Sequence, residues 1–311
     1  MNSPLDFLRV FRVRLREAGI RFALTSGMAC VEYGLQQSTK DTDWIIAPED
    51  LGKLRGLFER LETGSPGCRV MYRSLFGAPL DFEFLSHGWT SHLLVHDPDG
   101  SEHKVDIFGA PPRLVSWAAD DTGLATRHVV AQMKKTDREK DWPMVDSIAW
   151  QLWESRSPEA LLHIQDQRKL IEVWEKTTGA DHRALAQRRP LLRVLDHEKD
   201  PDRIFAAVRI ERIIWACMDE VRYGSYKQAW KTFYRTWKKE PEWQWPVDEP
   251  FLSQHRRLLD AARRHGLPND PVGHDGREAL LDRAMKIAKV RSNSNAEQMK
   301  RITPPMSELW P

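Results

Sequence analysis

Cysteine is scarce in this sequence: Cys30, Cys68 and Cys217 stand isolated among 311 residues. An odd, scattered set supports neither a disulfide framework nor a zinc ligand set. Long apolar runs are missing too; none approaches the roughly 20 residues a membrane span needs. The opening Met1-Asn2-Ser3-Pro4-Leu5-Asp6-Phe7 lacks the basic-then-apolar layout of a secretory signal. There is no internal repeat, and no strong excess of one charge: the formal net charge is +2. With 30% charged and 41% apolar residues, the composition is that of a surface-rich globular protein, so a cytoplasmic location without a membrane partner is expected. A mild asymmetry lies beneath the total. The first 144 residues sum to −2 and the remainder to +4, a weak pointer to a polyanion such as RNA or a nucleotide.

The patterning divides the chain. Leu8, Phe11 and Leu15 fall at helical spacing before Gly19, which gives a first helix through about Ala18. Strand 22–25, a helix from Gly27 to Tyr33 and strand 43–47 follow. Pro48-Glu49-Asp50 opens another helix, with proline at its first position and acids facing the dipole. Strands are expected at 69–74, 80–85, 91–96 and 104–108, the last two joined by the turn Asp97-Pro98-Asp99-Gly100. From Arg113 on the pattern is helical, near 126–136, 142–155, 158–177, 181–195, 201–221, 225–239, 250–265 and 276–291, with a loosely held tail after about 291. The expected organisation is α+β: a mixed sheet with flanking helices over residues 1–144, then an all-α domain over 145–311.

The densest chemistry lies between Thr25 and Ile46. An apolar strand, Phe22-Ala23-Leu24, runs into the small-residue turn Ser26-Gly27, and a second strand begins with Asp41 and Asp43. Side chains alternate along a strand, so residues i and i+2 share a face about 7 Å apart. Two carboxylates so placed repel unless a cation lies between them, and hard oxygen ligands suit Mg²⁺ or Mn²⁺. Asp106, in Lys104-Val105-Asp106-Ile107-Phe108, adds a third carboxylate on another short strand. Three convergent carboxylates are what two-metal phosphoryl transfer requires. Asp81 and Glu83 are the rival third position, but Pro79 and the nearby turn favour an exposed hairpin there.

This arrangement resembles the nucleotidyltransferase superfamily, in particular the branch with AbiEii-type toxins and minimal nucleotidyltransferases. The likeness rests on Ser26-Gly27, the thirteen residues from there to Asp41-Thr42-Asp43, the later Asp106 strand, and Lys134-Lys135-Thr136-Asp137-Arg138-Glu139-Lys140-Asp141. It covers about the first 150 residues. Ser26 stands where the family pattern often has Gly, Gln37 where it often has Arg, and Met133 is aligned with the nucleotide lysine if there is no gap.

The resemblance implies metals on Asp41, Asp43 and Asp106, with Asp106 also activating the attacking hydroxyl. Ser26 and Gly27 would face the NTP phosphates through backbone N–H groups. Lys134, Lys135 and Arg138 would reach the triphosphate from a helix, with Asp141 orienting one of them. It implies NMP transfer from an NTP to a hydroxyl of RNA (a tRNA end, for instance), protein or a small molecule, and for a toxin a neutralising antitoxin partner. The rival is an inactive descendant that binds nucleotide or RNA without turnover.

Two further patterns have plainer readings. His87, His92, His96 and His103 match no zinc spacing and read as surface or hairpin residues. Lys227, Lys231 and Arg235 form a basic helical stripe beside Tyr226, Trp230, Phe233 and Trp237. That stripe is compatible with RNA contact, but aromatics at helical spacing are first of all a buried face.

Overall fold

The computed structural model describes residues 4–177, 180–241 and 243–310. The chain divides into two compact units. The first comprises residues 1–111, 118–125 and 225–274; the second comprises 112–117, 126–224 and 275–311. The division thus differs from a single boundary after 144, because the chain returns to the first unit at Ser225.

The first unit is built on one five-stranded mixed sheet. Its early elements are α1 (Pro4–Glu17), β1 (Phe22–Thr25), α2 (Ser26–Glu32), β2 (Asp41–Ile46) and α3 (Leu51–Gly64). They are followed by β3 (Arg69–Tyr72), α4 (Phe82–Leu85), β4 (Thr90–His96) and β5 (Glu102–Phe108). The strand order is β1-β2-β5-β4-β3, and only the central β2–β5 pair is parallel. Alternation sorts the two faces: Thr42, Trp44, Val105 and Ile107 are buried, whereas Asp41, Asp43, Lys104 and Asp106 are half-exposed. Phe11 of α1 meets Trp44 edge-on at 5.1 Å and stacks on Phe58 of α3 at 5.9 Å, closing the apolar face.

The segment expected as strand 80–85 is instead the single turn α4. Asp81 caps it by accepting from Glu83 N at 3.1 Å, so capping chemistry after Pro79 overrides the alternation of Asp81-Phe82-Glu83-Phe84. Asp81 pairs with Arg55 and Glu83 with Arg263. Both carboxylates are thus engaged in this helical turn, and the hairpin reading does not hold.

In the second unit come α5 (Arg127–Met133), α6 (Trp142–Glu154), α7 (Gln167–Lys176) and α8 (Ala180–Arg188). The expected helix 158–177 is a 3-10 segment, Pro158–Leu162, then α7, which Asp166 caps at Lys169 N (2.9 Å). Pro190 stops the expected helix 181–195 and opens a second 3-10 segment, Pro190–Asp196. The helices expected at 201–221 and 225–239 are one, α9 (Pro201–Trp237), which passes through Gly224. A mid-helix glycine costs only about 1 kcal/mol, and burial of Val221 and Tyr226 on either side outweighs it.

The last helices are α10 (Phe251–Arg264), α11 (Pro271–Asp275), α12 (Arg277–Ser292), α13 (Ala296–Ile302) and α14 (Met306–Leu309). The tail is therefore not loosely held. Asn295 caps α13 through Gln298 N at 2.8 Å, Met299, Ile302, Leu309 and Trp310 are buried, and Glu308 holds Arg188 at 2.6 Å. Among the described residues, no helix is long and apolar enough to cross a membrane.

Tyr226, Trp230, Phe233 and Trp237 are all buried in the first unit. Trp245 packs at a tilt against this row, 5.5 Å from Trp237, and donates to Tyr72 O at 2.8 Å. Burial leaves these rings nothing to offer an RNA base. Nearby α10 packs Phe251 on Tyr72 and Phe58 and brings His255 Nδ1 to 2.8 Å from the Tyr72 hydroxyl.

Burial depresses the His255 pKa from 6.5 to about 4. The unfolded chain therefore binds the extra proton between those values, and stability falls as pH drops through that window. Between pH 7 and pH 5 the loss should be about 2 kcal/mol from this residue, read as a drop in the urea midpoint. His255→Gln should flatten much of that slope; an unchanged slope would refute the assignment.

Candidate functional site

A single transverse row organises the open face of the sheet. Thr25 on β1 is registered with Asp43 on β2, Asp43 with Asp106 on β5, and Asp106 with His92 on β4. Arg73, one residue past β3, extends the row by donating its backbone N–H to His92 O at 2.9 Å. The next row sets Asp41 beside Lys104. The sheet thus brings Asp41, Asp43 and Asp106 to one face, two of them on adjacent strands. Thr42 fixes this register from the buried side: its hydroxyl donates to Lys104 O at 2.8 Å and accepts from Trp44 Nε1 at 3.1 Å.

Side chains already meet Asp106 and Asp41. Asp106 Oδ1 lies 2.7 Å from His92 Nδ1 and 3.1 Å from Arg73 Nη1. Lys104 Nζ lies 3.7 Å from Asp41 Oδ1, an atom shielded from water that accepts no hydrogen bond. A buried anionic oxygen without a hydrogen bond is costly, and a hard cation would satisfy it. The donor set is all oxygen and half-exposed, which fits Mg²⁺ or Mn²⁺ held by Asp41, Asp43 and Asp106. The arrangement is open rather than caged: among the described residues no group of three or more His, Cys, Asp or Glu forms a ready metal site.

The Ser26-Gly27 turn abuts the start of this strand. Ser26 has a left-handed φ of +53°, the sharp reversal that takes β1 into α2. Gln36 Nε2 donates to Gly27 O at 2.7 Å, and a Cβ on Gly27 would lie 2.7 Å from Thr39 Oγ1. Glycine is therefore required for the turn to sit against the residues that lead into Asp41. A second glycine has a similar duty: a Cβ on Gly77 would lie 2.9 Å from His92 Cδ2 and 2.8 Å from Thr90 O.

Arg73, His92 and Lys104 are the members of the site that sequence reasoning missed. Lys104 was legible in principle, since it precedes Asp106 by two residues as Asp41 precedes Asp43. Arg73 and His92 are tied to Asp106 only by strand register, which no local pattern reveals. The other histidines make local pairs, His103 with Asp97 at 3.0 Å and His96 with Glu102 at 3.5 Å.

The run from Lys134 to Asp141 belongs to the second unit and is not helical as expected. Helix α5 ends at Met133, and Lys134 is its C-cap. Arg113, at a left-handed φ of +66°, holds this end: its guanidinium donates to Gln132 O and Met133 O and pairs with Asp219. Asp141 gathers the run, accepting from Lys134 Nζ (3.3 Å), Thr136 Oγ1 (2.8 Å) and Arg138 (2.7 Å). Lys134 is buried in that pairing, whereas the Arg138 side chain is 58% exposed. Lys135 turns inward, donating to Leu162 O at 3.0 Å with its ammonium 4.6 Å from the Trp215 ring centre. It is 4% exposed, and burial pushes its pKa down to about 7. Lys135 is thus not presented to an incoming phosphate, which corrects the role given to it by resemblance.

No protein-family model matches this chain, and no curated protein is similar enough to count as a relative.

Packing at the turn is open to direct test. Gly27→Ala should destabilise the first unit by about 1–3 kcal/mol, the usual cost of overpacking. In a Thr39→Ala background the cost should shrink, because the obstructing hydroxyl is gone. A double-mutant cycle in urea showing no coupling would exclude this contact.

Proposed function

We propose that this chain is a metal-dependent nucleotidyltransferase that moves an NMP from an NTP to an acceptor hydroxyl. The observation that carries the reading is the parallel β2–β5 register, which sets Asp43 beside Asp106 with Asp41 on the same face. The Ser26-Gly27 turn, packed against Thr39, supplies an adjacent stretch of backbone with small side chains.

In this reading Asp41, Asp43 and Asp106 hold Mg²⁺ or Mn²⁺, which supplies charge neutralisation at the phosphates. Ser26 and Gly27 orient the phosphate chain through their backbone N–H groups. The acceptor oxygen forms a bond to the α-phosphorus as the bridging α–β bond breaks, and pyrophosphate departs with that electron pair. Asp106 Oδ2 takes the acceptor proton, since Oδ1 is held by His92. The work asked of the protein is positioning and electrostatics. Arg138, exposed and braced by Asp141, is open to an anion. RNA, a protein hydroxyl and a small molecule all remain within the acceptor class, and an antitoxin partner follows only from the likeness to toxins.

A second reading is a binding module that retains nucleotide without turnover. It is favoured by the burial of Lys135 and by the Arg73 guanidinium on Asp106. The two separate in one experiment: purified protein with each α-labelled NTP, Mg²⁺ or Mn²⁺, and total RNA or the chain itself as acceptor. Transfer by wild type should fall by about a hundredfold or more in Asp43→Ala and Asp106→Asn, with circular dichroism unchanged. Transfer that survives Asp43→Ala would refute the site. Metal-dependent NTP binding with no transfer to any acceptor would favour the binding module.

A further inference from the structure

Arg73 is the residue of the carboxylate row that the proposed chemistry leaves unused. Its side chain is 20% exposed and reaches Asp106 Oδ1 through Nη1 alone, at 3.1 Å. The other guanidinium nitrogens make no hydrogen bond or ion pair among the described residues. A guanidinium has five N–H donors in a fixed fork. One spent on a carboxylate leaves the others without a protein acceptor among the described residues.

His92 already holds Asp106 Oδ1 at 2.7 Å, and Gly77 leaves room for its ring. Arg73 is therefore not needed to orient the carboxylate. What it adds is positive charge at the point where a divalent cation would bind. A cation there competes with a metal for the same carboxylate. The fork is also the geometry that grips a phosphate at two oxygens.

We propose that Arg73 is a two-position residue. It is counter-ion to Asp106 while the carboxylates carry no metal, and it is a phosphate ligand once metal and triphosphate are bound. This rests on the nucleotidyltransferase reading and deepens it, by making metal and polyphosphate binding mutually dependent through one side chain. The row then stays neutralised in both states: the metal takes over Asp106 as Arg73 turns its charge to the incoming phosphate.

Opposite shifts in two affinities distinguish this role from a structural one. Mn²⁺ binding to the full chain is read by electron paramagnetic resonance, without nucleotide. Inorganic triphosphate binding at saturating Mn²⁺ is read by calorimetry. Arg73→Gln should bind Mn²⁺ about tenfold more tightly, because a competing unit charge is gone. It should bind triphosphate about tenfold more weakly, because a charge-assisted bond is gone. Arg73→Lys, which keeps the charge, should hold Mn²⁺ as wild type does, and it serves as the reading if the Gln variant does not fold. Arg60→Gln, a remote exposed cation on α3, should move neither.

Weaker or unchanged Mn²⁺ binding in Arg73→Gln overturns the proposal, as does unchanged triphosphate binding. A wild type that binds Mn²⁺, and loses it in Asp43→Ala, keeps the carboxylate site even if Arg73 fails. A wild type that binds no Mn²⁺ removes both.

Discussion

Repulsion between Asp43 and Asp106 is the constraint around which the first unit is arranged. Neighbouring strands lie about 4.8 Å apart, so carboxylates directly opposite each other on one face repel. The parallel β2–β5 pairing imposes this because Thr42, Trp44, Val105 and Ile107 must all face the core. Slipping one strand by a residue would relieve the charges but bury Asp106 and expose Ile107. The apolar face sets the register, and the open face must accommodate the charges. Arg73 and His92 meet Asp106, and Lys104 lies beside Asp41 in the next row.

That division of labour explains why a half-exposed row of acids is compatible with a stable fold. A salt bridge on a surface contributes little on its own. These contacts act instead on a repulsion that the core makes unavoidable. Asp41 Oδ1 marks where the compensation is incomplete, since its nearest cation is 3.7 Å away and no hydrogen bond reaches it. An oxygen so placed is what a cation would satisfy in the proposed reading.

Much of this was readable from local pattern. The alternation around Asp41 and Asp43, the turn at Ser26-Gly27 and the hairpin at Asp97–Gly100 depend on residues near one another in sequence, and each formed where expected. The acid row itself needed the β2–β5 pairing, a long-range contact that the short apolar strand around Asp106 allowed but did not fix. Failures came where a short-range signal met a competing one. Asp81 capped a helical turn that the alternation denied, Gly224 failed to break a helix held by its buried flanks, and the tail found apolar partners that its Ser- and Asn-rich start concealed. Arg73 and His92 were out of reach for a different reason: their importance lies in a cross-strand register, not in their neighbours.

Lys135 shows what a resemblance between charged runs does not carry. Residue type at matching positions says that a cation is present, but the direction of its side chain is decided by where the backbone stops being helical. Arg113 caps α5 at Gln132 and Met133, and from that point the chain turns so that Lys134 meets Asp141 while Lys135 enters the interior. Once there, loss of water penalises the charged form, and a pKa of about 7 follows. The sign of its effect is then fixed: the unfolded chain binds the extra proton between about pH 7 and the ordinary lysine value, so this residue makes the second unit more stable as pH rises through that range. A phosphate ligand would be expected to behave oppositely, needing its charge and keeping it at the surface. By that criterion it is Arg138, not Lys135, that keeps its charge at the surface.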